Sequence, residues 1–294
     1  MQDKLEFIVS EQFNNMDALT FLKKECKVSS RMITRLKREK DGILRNGKLL
    51  RTIDILNTND LVTLNFPQDK NEIVPIENTL EILYEDEHII AVNKPYNMPV
   101  HPTKIHQLDT LANAIVYYAN SKGENYTFRA INRLDKDTSG VVVITKNSYS
   151  ATKLFKSLNK IYFAVCEGEI SEKGTINKPI KVKEGHTIQR CVAPDGKPSA
   201  THYIPKENSN NHTLLEIILE TGRTHQIRCH FSSIGHPLAG DDMYGGSLEF
   251  SNRQCLHCKT VTFTHPVTDE VITINSNLPE DFYNVLKLSN PPSN

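Results

Sequence analysis

The chain has 294 residues, 38% of them hydrophobic and 24% charged, with a formal net charge of zero. That length holds one large domain and a small one, and the balance excludes a disordered or fibrous chain. No apolar run approaches the roughly 18 residues of a membrane-spanning helix, the start Met1-Gln-Asp-Lys-Leu-Glu lacks the apolar region of a signal peptide, and six dispersed cysteines suit reduced thiols, so a cytoplasmic protein without membrane contact is expected.

Residues 12–67 read as a small α+β domain. Leu19, Leu22 and Cys26 have helical spacing, as do Met32 and Leu36 and, less regularly, Ile33. Asn46-Gly47 signals a hairpin, and Leu61-Val-Thr-Leu-Asn-Phe66 alternates as a strand. From Thr20 to Arg51, eleven Lys and Arg stand against three Asp and Glu, so basic charge is concentrated here despite the zero total. A charge run is often only a solvated face. As a nucleic-acid surface this one would use Lys27, Arg31, Arg35, Lys37, Arg38 and Lys48. Residues 68–79, polar and containing Pro75, read as a linker.

Residues 80–288 read as the larger domain. Strand signals cover Ile89-Ile-Ala-Val92, Val141 to Thr145, Ile161 to Cys166, Thr213 to Leu219 and Val261 to Phe263, with helical spacing in Thr110 to Ala119 and Ala151 to Leu158. The mixture predicts an α+β domain on a largely antiparallel or mixed sheet with flanking helices and a cleft. The tail from Ser289, with Pro291 and Pro292, is expected to be mobile.

Within this domain, Asn132-Arg-Leu-Asp135-Lys-Asp-Thr-Ser-Gly140 sets two carboxylates, Asp135 and Asp137, just before the apolar run Val141-Val-Val-Ile144. By spacing alone it reads as a turn. The stretch also resembles the His-Arg-Leu-Asp-x-x-Thr-Ser-Gly signature of the RluA-type RNA pseudouridine synthases. Further family-like segments follow in order: Val92-Asn-Lys-Pro95, Val100-His-Pro102, Lys160-Ile-Tyr162-Phe-Ala164, Glu220-Thr-Gly-Arg223-Thr-His-Gln-Ile-Arg228, Gly235-His-Pro-Leu-Ala-Gly240-Asp, Tyr244-Gly-Gly246 and Arg253-Gln-Cys-Leu-His257. The N-terminal segment resembles the S4-type RNA-binding module at Ser30, Arg31, Asn46 and Gly47.

The resemblance implies isomerisation of uridine to pseudouridine in structured ribosomal or transfer RNA, with no metal, no cofactor and no obligate protein partner. It implies Asp135 as the catalytic carboxylate, acting on the base or on the sugar, Arg228 as its cation, and Tyr162 as the active-site tyrosine, stacking on the base and helping to move a proton. Tyr162 would otherwise read as a packing residue. Thr224 is expected to cap a short helix whose stripe is Ile227, Phe231 and Ile234, with Arg228 at its edge and Arg223 at its entrance, suited to a phosphate. Arg133 is expected to hold the uridine out of its stack. Asp137 is expected to accept a turn hydrogen bond. Asn132 stands where the family has histidine and cannot titrate, which makes the position architectural. Two other readings remain: a catalytically idle RNA-binding or ribosome-assembly factor, and a zinc enzyme resting on Cys255 and Cys258. Three residues apart on a strand, those cysteines cannot share a face.

Overall fold

The computed structural model describes residues 3–66, 72–155 and 157–288. The first part of the expected linker, residues 68–71, and the tail from Ser289 lie outside the described residues.

The N-terminal domain packs the helices Ala18–Lys24 and Ser30–Leu36 against a four-stranded sheet. Asp17 and Ser29 cap those helices by accepting from the backbone N–H of Thr20 and Met32. Phe21, Leu22, Ile33 and Leu36 are buried and meet Ile43, Val62 and Leu64 from the sheet. Asn46 (φ 51°) and Gly47 (φ 78°) are both left-handed, as a two-residue hairpin between Ile43–Arg45 and Lys48–Leu49 requires. The strand Asp3–Ile8 pairs along the whole of Leu61–Phe66, so this sheet begins well before residue 12. Tyr149 of the larger domain packs against Phe7 and Phe66 and joins the two cores. Residues 72–79 have no regular structure but are not loose: Asn113 Nδ2 donates to the Val74 carbonyl, and Ile76 N–H donates to the Asn113 carbonyl.

The larger domain is built on a ten-stranded sheet among the described residues. Its central strands are Ile89–Lys94, Ser139–Thr145, Leu256–Thr264, Asn159–Glu167 and His212–Leu219, in that spatial order. The pairings are antiparallel except where Ser139 and Gly140 run parallel to His257 and Cys258. Gly140 (φ 114°) makes that junction: a Cβ would stand 2.3 Å from the Cys258 carbonyl oxygen. The helix Leu111–Ser121 is held by a Thr110–Asn113 capping box and buries Leu111, Ile115 and Val116. Cys258 belongs to the main core and Cys255 to a separate cluster with Val165 and Phe282. Burial pushes both thiols up to about 12, and among the described residues no three metal-ligating side chains gather.

Candidate active site

The loop carrying Asp135 is fastened from behind by three buried polar side chains. Asn132 Nδ2 donates to the Val141 carbonyl at 2.9 Å, and its Oδ1 accepts from Val143 N–H at 2.9 Å. A side-chain amide thus bonds the backbone as a neighbouring strand would, a structural task that needs no titrating group. Lys94, fully buried, donates from Nζ to the carbonyls of Pro95 and Met98 at 2.8 Å and of Lys136 at 3.1 Å. Burial pulls its pKa down to about 7, against the opposing pull of Asp137 and Asp135. Three carbonyl acceptors match the three N–H groups of an ammonium and leave no donor for an amine lone pair, so the charged form fits this nest. Arg253 forks onto Asp281 at 2.6 and 3.0 Å and gives Nη1 to the Asp137 carbonyl at 3.0 Å. With Lys136 and Asp137 carbonyls drawn inward, Asp135 projects into the cleft.

The turn itself is closed by Thr138 N–H on the Asp135 carbonyl. Among the described residues no hydrogen bond to the Asp137 carboxylate is present, so the expected side-chain turn acceptor is replaced by a backbone one. Behind the loop, Ser139 Oγ and Ser276 Oγ bracket the His257 ring at 2.9 and 2.7 Å. Burial first, then the Arg253 and Lys259 charges, push the His257 pKa down to about 3. Below pH 6.5 the unfolded chain takes up a proton here that the folded one refuses, so stability falls as pH drops from 6.5 toward 3. By pH 5 the loss from this group is about 2 kcal/mol. His257→Gln, which keeps a donor and an acceptor between the serines, is expected to flatten the fall in melting temperature between pH 7 and pH 5; an unchanged slope would contradict it.

Asp135, Arg133, Tyr162, Arg223 and Arg228 line one cleft, together with His225 and Gln226. Tyr162 follows a register shift in the pairing of Asn159–Glu167 with Leu256–Thr264 and lines the cleft. Burial first, then the nearby Cys258 and Asp135, hold its phenol well above the usual value of 10. It therefore stays protonated at neutral pH and offers a ring face to the cleft. Arg133 is exposed at the cleft, and Arg223 is exposed, with Nε and Nη2 each 3.4 Å from the Pro198 carbonyl.

Arg228 lies on the buried helix Gln226–Ser232. Its chief partner is not Asp135 but Asp241, which takes Nε and Nη2 in a fork at 2.7 Å each. Nη1 reaches Asp135 Oδ2 at 3.4 Å. Burial works against the guanidinium charge, but Asp241, with Asp135 beside it, outweighs burial and raises its pKa. The cation is thus fixed by one carboxylate and lent to the other. The helix start also differs from expectation. Thr224 is no cap; His225 occupies the cap position in a left-handed conformation (φ 54°), and Gln226 Oε1 accepts from Arg223 N–H at 3.0 Å and Thr221 Oγ1 at 2.8 Å. His225 Nε2 stands 3.6 Å from Asp135 Oδ2. Asp241, His225 and Tyr244 all fall inside the motif segments of the sequence, yet nothing in their spacing assigned them a part.

The six N-terminal residues do not line this cleft. Lys27, Arg31, Lys37, Arg38 and Lys48 are exposed on the small domain and form no ion pair among the described residues, while Arg35 is half-buried.

No described helix is long and apolar enough to cross a membrane. The family described as RNA pseudouridylate synthase matches residues 88–233. The chain is 35% identical over 292 residues to the uncharacterized RNA pseudouridine synthase YhcT of Bacillus subtilis, covering 96% of each. It is 38% identical over 273 residues to ribosomal large subunit pseudouridine synthase D of Pseudomonas aeruginosa, covering 85% of this chain and 84% of the relative. Among solved structures, human RNA Pseudouridylate Synthase Domain Containing 1 superposes with a TM-score of 0.58 at 26% identity, covering 70% of this chain and 86% of that one. Sequence, fold and cleft agree: the chain belongs to the RluA-type RNA pseudouridine synthases, enzymes that isomerise uridine in RNA.

Proposed function

We propose that Asp135 is the nucleophile of this enzyme, acting on a uridine extruded from structured RNA of the large ribosomal subunit. The observation that carries the reading is the asymmetry of the Asp135 carboxylate: Oδ2 faces Arg228 Nη1 and His225 Nε2, while no hydrogen bond to Oδ1 is present among the described residues. A carboxylate paired on one oxygen alone is held in place and keeps the other oxygen for attack. Adding to the base or assisting departure from C1′ both use that oxygen. On either route the N1–C1′ bond breaks, the base turns, C1′ joins C5, and the hydrogen of C5 is replaced by one on N1, so atoms balance without a co-reactant. Tyr162 lies against the base; Arg223 takes a phosphate.

The ribosomal target rests on the relatives named for the large subunit. The N-terminal domain, S4-like, adds sequence-independent phosphate contacts through Lys27, Arg31, Arg35, Lys37, Arg38 and Lys48, so affinity weakens with salt. The test uses RNA tritiated at uridine C5. Isomerisation moves that tritium off carbon, where it exchanges into water; release is expected from large-subunit RNA and not from transfer RNA. Binding without release from either would favour the idle RNA-binding factor.

Arg133, two residues before Asp135 and exposed at the cleft, holds the vacated position in the stack. Arg133→Ala should lower turnover on a folded RNA by about 10- to 100-fold and far less on an unstructured fragment. Equal losses on both would sink the assignment.

A further inference from the structure

Tyr244 belongs to a motif segment that neither the nucleophile nor its cation accounts for. Its hydroxyl accepts the backbone N–H of Arg190 at 2.8 Å and stands 3.0 Å from His225 Nδ1. A phenol has one hydrogen. With the oxygen already accepting from Arg190, and no other acceptor for its hydrogen among the described residues, the O–H donates to His225 Nδ1. That bond places the ring hydrogen of a neutral His225 on Nε2, the nitrogen facing Asp135 Oδ2.

The same tyrosine also positions the second donor. Its ring lies under the Arg228 guanidinium, with Cζ 5.0 Å from the centroid. Tyr244 therefore orients both groups that face Oδ2, one through its ring and one through its hydroxyl. The His225 side chain is 8% exposed, so its ring is largely enclosed where it meets Tyr244. The charges around it are Asp135, Arg228, Asp241 and Arg190; burial, the largest influence, lowers its pKa and keeps the ring neutral at pH 7.

We propose that His225 is a positioning residue for the reaction, a neutral Nε2–H donor whose tautomer is set by the Arg190–Tyr244 chain and which, with Arg228, directs Asp135 to react through Oδ1. This rests on Asp135 being the nucleophile. At 3.6 and 3.4 Å the two contacts in the free enzyme are loose, and closing them as Asp135 leaves its covalent adduct stabilises the returning carboxylate charge. A tight ion pair in the free enzyme would instead blunt the nucleophile.

The test pairs a spectroscopic readout with kinetics. In wild-type protein labelled with 15N-histidine, long-range proton–nitrogen correlation should assign His225, identified by its loss in His225→Gln, as the neutral Nε2–H tautomer at pH 7. Tyr244→Phe should give a mixture of tautomers. In single turnover on RNA, His225→Leu should slow the step by about 10- to 100-fold with RNA affinity unchanged. His225→Gln, which keeps a donor at the Nε2 position, should stay within about threefold. An imidazolium or an Nδ1–H tautomer in the wild type would overturn the proposal, as would His225→Leu turning over at the wild-type rate. Because the tautomer is read without catalysis, these outcomes are separate from the nucleophile's own failure, which would appear as turnover by Asp135→Asn.

Discussion

Purified Asp135→Asn protein is expected to bind its RNA with wild-type affinity and to isomerise it at least about 10⁴-fold more slowly, the scale on which removal of an enzymatic nucleophile is felt. The substitution keeps the shape of the side chain and removes its charge and nucleophilicity. It should cost little stability, since the one ion pair lost to Arg228 is 3.4 Å long and 29% of the Asp135 side chain is exposed. Arg228 keeps its fork onto Asp241, so no buried charge is stranded. Filter binding and single-turnover tritium release on the same preparation separate the two quantities. Loss of affinity together with turnover would indicate a damaged fold, and retained turnover would remove Asp135 from the chemistry.

Asp241→Ala should behave in the opposite way. Its carboxylate is fully buried and makes both short bonds to Arg228, whose side chain is only 6% exposed. Removing it leaves a guanidinium in a dry interior with one long contact to Asp135. Breaking a buried pair from one side costs about 3–5 kcal/mol, which for a domain of this size lowers the melting temperature by roughly 10 °C. Turnover falls as well, because Arg228 is then free to close on Asp135 and neutralise it. The double variant Arg228→Met with Asp241→Leu removes both charges and should recover most of the stability while leaving turnover low. A single variant as stable as a surface substitution, within about 0.5 kcal/mol, would show that the fork does not carry the site.

These two residues also mark how far the sequence reaches. The apolar runs at Ile89 and Val141 and the alternation around Ile161 gave central strands, and the motif residues Asp135, Tyr162 and Arg228 do line one cleft. Asp241 was not legible as the partner of Arg228, because it lies 13 positions further along the chain, across a helix end and a loop whose path only the fold determines. Lys94 and Arg253 fall inside motif segments that assign them no part, since lysine and arginine are ordinarily solvated and their tasks here are to bind backbone carbonyls of a distant loop. The helix entrance was misread for a local reason. Threonine is a common cap, but the chain turns through a left-handed His225 without a side-chain cap, and Gln226 instead fastens the preceding loop by accepting from Arg223 N–H. The strand Ala200–Ser209 is mostly polar and does not announce itself, while Asp3–Ile8 and Val271–Asn275 are short strands whose place only their tertiary pairing shows.

The most direct measurement of the central claim is made on RNA from cells. With the protein deleted, carbodiimide-dependent reverse-transcription stops should disappear at a uridine of large-subunit ribosomal RNA, reappear on return of the wild-type chain, and stay absent with Asp135→Asn expressed to the same level. A site restored by Asp135→Asn as fully as by wild type would contradict the account.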